Sequence, residues 1–87
     1  MEIEFDPGKT DWNIRERGLS FELVAEFDFS TAKIVEDARK SYPERRYLAL
    51  GRLAGRVHML VFSETRTGIR VISFRKANRR EVMRYET

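Results

Sequence analysis

The chain contains no cysteine and a single histidine, His58. Without thiols there is no disulfide framework and no Cys-based zinc or iron–sulfur site, and one imidazole excludes a His-cluster metal centre. Proline and glycine are scarce, two and five of 87 residues. No low-complexity run, internal repeat or linker interrupts the chain. No apolar run reaches the length of about 18 residues that a membrane-spanning helix needs. Met1-Glu2-Ile3-Glu4 is acidic and poor in apolar side chains, unlike a secretory leader. The simplest expectation is a cytoplasmic protein with no membrane association.

What is present is enough for one domain, residues 1–87, with a compact core. Hydrophobic residues make up 41% of the chain, and six Phe, three Tyr and one Trp supply bulk. A domain of this size buries only about two-thirds of its unfolded surface. Charge is divided along the chain. Residues 1–44 hold six Lys/Arg against eleven Asp/Glu, and residues 45–87 hold eleven against three. Ten of those eleven are Arg, which pairs bidentately with phosphate and stays charged. Such asymmetry suggests a polyanion or an acidic partner. The plain alternative is a solvated surface that offsets the acidic first half.

Asp6 and Pro7 read as the N-cap and first residue of a helix that ends at Gly18. Ser20 opens a second helix, Phe21 to about Phe27, and the two form a helical hairpin. From Lys33 the apolar period becomes two. Strands are expected at 33–37, 46–53, 57–62 and 69–75, the third apolar enough to be central, with Ala54-Gly55 turning tightly between the second and third. Asn78 and Glu81 form a capping box for a last helix. The expectation is an α+β fold: two N-terminal helices and one C-terminal helix packed on a twisted, mainly antiparallel sheet of about four strands.

His58 has the right intrinsic pKa for acid–base work, but it sits inside the most apolar strand, where a satisfied core imidazole is the better reading. Ser20, Ser63 and Ser73 have no base beside them. Glu36 and Asp37 point to opposite faces of a strand, which disfavours a shared Mg²⁺. The basic cluster says more. Arg70, Arg75, Lys76, Arg79, Arg80 and Arg84 fall within fifteen residues. Strict alternation puts Arg70 and Arg75 on opposite faces, so a bulge or a strand end must bring them to one ligand. Arg79 lies in the first turn of the last helix, Arg52 ends a neighbouring strand, and Tyr47 and Tyr85 offer rings for stacking on bases. Phosphate binding fits this pattern.

These residues also resemble a known family. Phe5-Asp6-Pro7-Gly8-Lys9, Asn13 and Gly18-Leu19-Ser20-Phe21 are similar to the opening of the BrnT toxins, and Arg46-Tyr47-Leu48-Ala49-Leu50-Gly51-Arg52 to their middle segment. Most specific is Ile69-Arg70-Val71-Ile72-Ser73-Phe74-Arg75-Lys76-Ala77 with Glu81 and Tyr85. The resemblance spans nearly the whole chain. It implies a RelE-like fold and a ribonuclease that arrests growth by cutting RNA. It also implies a hetero-oligomer with an antitoxin that carries a ribbon-helix-helix DNA-binding domain, DNA being reached only through that partner. Where the family usually has Lys-His-Gly, this chain has Glu16-Arg17-Gly18, and Arg cannot shuttle a proton.

RNA supplies its own nucleophile, the 2′-OH, so cleavage needs alignment and charge stabilisation rather than a metal or cofactor. The expected catalytic residues are Arg70 and Arg75 on the scissile phosphate, with Lys9 and Arg52 adding positive charge. Arg79 and Arg80 are expected on flanking phosphates and Tyr85 on a base. Glu64 and Glu81 are the nearest carboxylates. The alternative is a weak or inactive homologue that serves as the antitoxin-binding half of an operon repressor.

Overall fold

The computed structural model describes every residue, Met1–Thr87. It contains five strands, β1 (Glu2–Glu4), β2 (Lys33–Glu36), β3 (Arg46–Leu53), β4 (Arg56–Glu64) and β5 (Gly68–Lys76). Two α-helices, α1 (Pro7–Arg17) and α2 (Arg79–Glu86), and two 3₁₀ helices (Phe21–Glu26 and Phe29–Thr31) complete it. All five strands form one sheet in the order β1-β5-β4-β3-β2. The expected four strands pair as an antiparallel meander, with β4 central. The fifth strand is the N-terminal segment. Glu2–Glu4 pairs parallel to β5, Ile3 opposite Ile69.

The ends of the helices follow from their capping residues. Asp6 accepts from the Gly8 amide at 2.7 Å, Pro7 occupies the first turn, and Gly18 closes α1 in the left-handed region at φ 65°. At the other end of the chain Asn78 and Glu81 form the reciprocal capping box of α2. Ala54 and Gly55 both take positive φ, 50° and 80°, as a two-residue hairpin turn requires.

The second N-terminal helix is 3₁₀ rather than α. Its core residues are Phe21, Val24 and Phe27, all buried. Their spacing is three, and three residues per turn place them in one line, where 3.6 would fan them apart. The expected helical hairpin is therefore one α-helix followed by 3₁₀ turns. Nor does α1 pack by an apolar stripe. Its buried residues are Thr10 and Asn13, while Trp12 and Ile14 are exposed. Asn13 Nδ2 donates to the carbonyls of Leu19 and Phe74, both at 2.8 Å, and Thr10 Oγ1 accepts from the Phe21 amide. Polar links thus hold α1 along the part of β5 that β1 does not reach.

The main core lies on one face of the sheet. Ala49, Leu60, Phe62, Val71 and Phe74 pack there against Leu19, Phe21, Val24 and Phe27. Phe27 and Phe74 meet edge to face with centroids 6.1 Å apart. The opposite face has a smaller core of Leu50, Val57 and Met59 beneath Val82 and Tyr85 of α2.

Candidate nucleic-acid interface

The register of β5 against β4 shifts between Val61 and Phe62: Val61 faces Ser73, whereas Phe62 faces Val71. Ile72 is the extra residue of this bulge. A bulge reverses the alternation beyond it. Val71 and Phe74 accordingly both enter the main core. Arg70 lies opposite Ser63 and Arg75 opposite Met59, so the two arginines share the α2 face. Their convergence on one face needed this device, yet they do not meet. About 13 Å of strand separates them, and each is held by its own carboxylates.

Arg75 makes two hydrogen bonds to Glu81, at 2.8 and 2.9 Å, a bidentate pair between β5 and α2. Glu81 is buried, and the Arg75 guanidinium pulls its carboxyl below the usual range. The same carboxylate bonds the Asn78 amide in the capping box. Glu81 is thus committed to structure twice over. Arg70 is half exposed and makes longer pairs, 3.7 Å each, to Glu4 and Glu44.

The other expected residues lie in three places. Arg79 and Arg80 border an open depression at the start of α2 with Asn78 and Met83. Arg52 donates to the Gly55 carbonyl and lies 5.3 Å from the Tyr85 ring centroid, with Lys33 Nζ 6.0 Å from the same centroid. The Tyr85 hydroxyl reaches the Thr31 carbonyl at 3.3 Å. A base stacking on Tyr85 would have to displace these cations. Tyr47 already stacks on Phe62 on the main-core side.

Lys9 lines a cavity of about 390 Å³ between α1 and the bulge of β5, with Asp6, Trp12, Asn13, Arg17, Ile72 and Ser73 among its walls. Lys9, Asn13 and Arg17 stand four apart, on one side of a helix. Arg17 donates to Asn13 Oδ1 at 3.1 Å and lies 5.1 Å from the Trp12 ring centroid. The composition of this cavity was legible only in part. Spacing by four marks Lys9, Asn13 and Arg17, but the half-exposed Trp12 carries no motif, and the meeting with Ser73 depends on the fold. Arg52 is not part of this group, since β4 and β5 stand between it and α1.

Two further observations bear on the chemistry. His58 is buried, its Nδ1 is 2.8 Å from the Arg56 carbonyl, and its ring leans on Phe74. Burial lowers its pKa, which suits a neutral core imidazole. No group of three or more His, Asp or Glu side chains is placed to hold a metal ion, and no helix is long and apolar enough to cross a membrane.

No curated protein matches the chain significantly. A family model described as the ribonuclease toxin BrnT of type II toxin–antitoxin systems matches residues 5–81, which include both walls of the cavity and the whole arginine-bearing face up to Glu81. The chain belongs to the BrnT family of ribonuclease toxins of type II toxin–antitoxin systems.

Proposed function

We propose that this chain cuts RNA without a metal ion, with the cavity between α1 and the β5 bulge at the cleaved bond. The observation that carries this reading is the meeting of the two ends of the chain: Lys9, Asn13 and Arg17 on one wall, Ile72 and Ser73 on the other. Lys9, Asn13, Ile72 and Ser73 belong to segments that resemble the family, whereas Arg17 departs from it. The RNA 2′-OH attacks the adjacent phosphorus, its proton is released, and the 5′-oxygen departs with a proton. The protein supplies alignment and positive charge on the phosphorane. Lys9 provides charge inside the cavity, and Arg75, two residues beyond Ser73, provides it on the sheet face. Arg70, Arg52, Arg79 and Arg80 hold flanking phosphates along the α2 side, where Tyr85 positions a base.

The partner in this reading is an antitoxin with a ribbon-helix-helix domain that masks Arg70, Arg75 and α2 and carries the complex to DNA. Cleavage slows translation and growth until the antitoxin binds. The test is single-turnover cleavage at saturating RNA. Activity should persist in EDTA, and Lys9→Ala should lower the rate by roughly 10²–10³. Complete loss in EDTA with recovery on adding Mg²⁺ would overturn the metal-free mechanism.

One observation favours a second reading. Arg17 occupies the place where the family usually has His, and it is held by Asn13 Oδ1 and the Trp12 ring. An arginine there cannot exchange a proton at neutral pH. If the family's His moves a proton, a chain with this substitution would cleave slowly and serve chiefly as the antitoxin-binding half of an operon repressor. Arg17→His distinguishes the two, since a large rise in cleavage rate supports the second reading.

A further inference from the structure

Away from α2, the sheet face carries a row of three side chains in direct register. Arg46 on β3 lies opposite Ser63 on β4, and Ser63 lies opposite Arg70 on β5. With strands about 4.8 Å apart, the outer backbones of the row are about 10 Å apart, well within the span of two arginine side chains. Ser63 is 1% exposed, yet its hydroxyl has no hydrogen-bond partner, and the buried Nε of Arg46 has none either. These are the two buried side-chain polar atoms without a partner in the protein, and they are neighbours. Arg46 is held in place by the Tyr42 ring, 4.2 Å from its guanidinium carbon.

A buried donor without a partner is costly, and a native fold seldom keeps two together without a use for them. Arg46 Nε–H and the loosely paired Arg70 guanidinium can only donate, and the Ser63 hydroxyl can donate as well as accept, so an anionic acceptor complements all three. Two carboxylates already approach. Glu4 and Glu44 stand 3.7 Å from Arg70, too far for the 2.7–2.9 Å of a charge-assisted hydrogen bond. All three side chains are 41–51% exposed, so the contacts are loose and screened. Neither carboxylate satisfies Arg46 Nε or Ser63.

We propose that the Arg46–Ser63–Arg70 row is a phosphodiester subsite for a phosphate flanking the cleaved bond, with Glu44 as a loose placeholder in the free protein. The assignment rests on the RNA-cleaving reading for the identity of the strand that brings the phosphate. The chemistry of the row favours phosphate over a second carboxylate. A phosphodiester shares one negative charge between two non-bridging oxygens on a tetrahedral phosphorus, each able to accept from more than one donor, whereas a carboxylate's two oxygens lie in one plane. The carboxylates at hand leave the inner two donors unpaired.

The test is binding of a short 2′-O-methyl RNA, which cannot be cleaved, to the full chain over a range of salt concentrations. Ser63→Ala removes a hydroxyl that has no protein partner, so the fold should survive, as melting will show. It should weaken binding by about fivefold. Glu44→Gln removes the placeholder charge and should tighten binding about two- to fivefold. Arg70→Ala should reduce the salt slope by about 0.7. In parallel, inorganic phosphate should shift the NMR signals of the Ser63 amide and Arg46 Nε in the wild-type chain, and an acidic peptide should not.

If RNA binds but Ser63→Ala and Glu44→Gln match the wild type in affinity and slope, the subsite is wrong and the ribonuclease reading stands. If the wild type binds no RNA, that reading fails and the phosphate titration decides the row by itself. Signals that move with acidic peptide and not with phosphate overturn the proposal in favour of a protein partner.

Discussion

The sheet face that carries Ala49, Leu60, Phe62, Val71 and Phe74 is covered by the 3₁₀ helices and their aromatic rings. The opposite face has α2 over Leu50, Val57 and Met59, and beyond it the Arg46, Ser63 and Arg70 row. Apolar packing is concentrated on the first face and charge on the second. The Ile72 bulge makes this division possible within one strand. Before it, Val71 enters the core and Arg70 faces out; after it, Phe74 enters the core and Arg75 faces out. An unbulged β5 would turn either Phe74 or Val71 onto the charged side. The division teaches that an 87-residue chain can keep a dry core and a cationic surface on opposite sides of one sheet.

The sharpest way to break this comparison is to hollow each face in turn. Phe74 is fully buried among Phe27 and His58, so Phe74→Ala should cost about 3–5 kcal/mol in urea unfolding. Met59→Ala, beneath α2 on the thinner side, should lie near the lower end of the range for such truncations, about 2 kcal/mol, because α2 can settle into the space. Equal losses would mean that the two cores support the fold equally.

Next in size is the attachment of β1. A Cβ at Gly68 would run into the Glu2 backbone, so Gly68→Ala must push β1 aside at about 1–3 kcal/mol. Hydrogen exchange should show the loss at Glu2–Glu4 and leave β4 protected. Undisturbed protection of β1 would show that this strand adjusts without separating.

Much of this plan was legible locally. Asp6, Gly18, Asn78 and Glu81 announce helix ends, because capping is chemistry between residues a few positions apart. Alternation placed the four strands of the meander, and the identity of β4 as central followed from its nearly continuous apolar run. The pairing of β1 escaped notice, since a three-residue parallel strand depends on a partner far along the chain. The 3₁₀ form of 21–26 is implicit in the threefold spacing of Phe21, Val24 and Phe27, but apolar Leu23 and Ala25 between them give the segment the broad stripe of an α-helix as well. The need for a bulge between Arg70 and Arg75 could be stated from parity alone. Its position at Ile72 could not, and neither could the approach of Glu4 and Glu44 to Arg70, whereas Glu81, the partner of Arg75, is one of the two nearest carboxylates in the sequence.

The Glu81–Arg75 pair joins the two faces of this argument, because it spends a surface cation on structure. Glu81→Gln should cost about 1–2 kcal/mol at neutral pH through the weakened cap and ion pair. The pH dependence follows from the depressed carboxyl. Its folded pKa lies below the ordinary 4.5, so its contribution is present above that value and is lost as pH falls through the folded pKa. The variant should therefore show a shallower acid limb there. The limb from His58 should remain: its pKa lies below the ordinary 6.5, the unfolded chain takes up a proton that the folded one refuses, and stability falls as pH drops below about 6.5. Glu81→Gln also frees Arg75, which should tighten binding of uncleavable RNA. An unchanged affinity together with an unchanged cleavage rate at saturating RNA in the folded variant would show that Arg75 contributes through α2 and not through substrate.

The smallest expected effect on the fold separates binding from cleavage. Arg79 stands at the start of α2 beside an open depression, where its positive charge opposes the helix dipole. Arg79→Ala should leave stability within about 0.5 kcal/mol of the wild type. It should weaken RNA binding and lower the salt slope by about 0.7, the loss of one phosphate contact on a single strand. The cleavage rate at saturating RNA should change little, because a flanking contact acts on ground state and transition state alike. Arg75→Ala is the counterpart, and it should lower that rate strongly with only a modest loss of affinity. It also leaves Glu81 buried without its cation, so its rate must be compared with Glu81→Gln and with the double variant. If Arg75→Ala cleaves at the wild-type rate under saturation while Lys9→Ala does not, the scissile phosphate lies wholly within the α1 cavity. Arg75 then belongs to the fold.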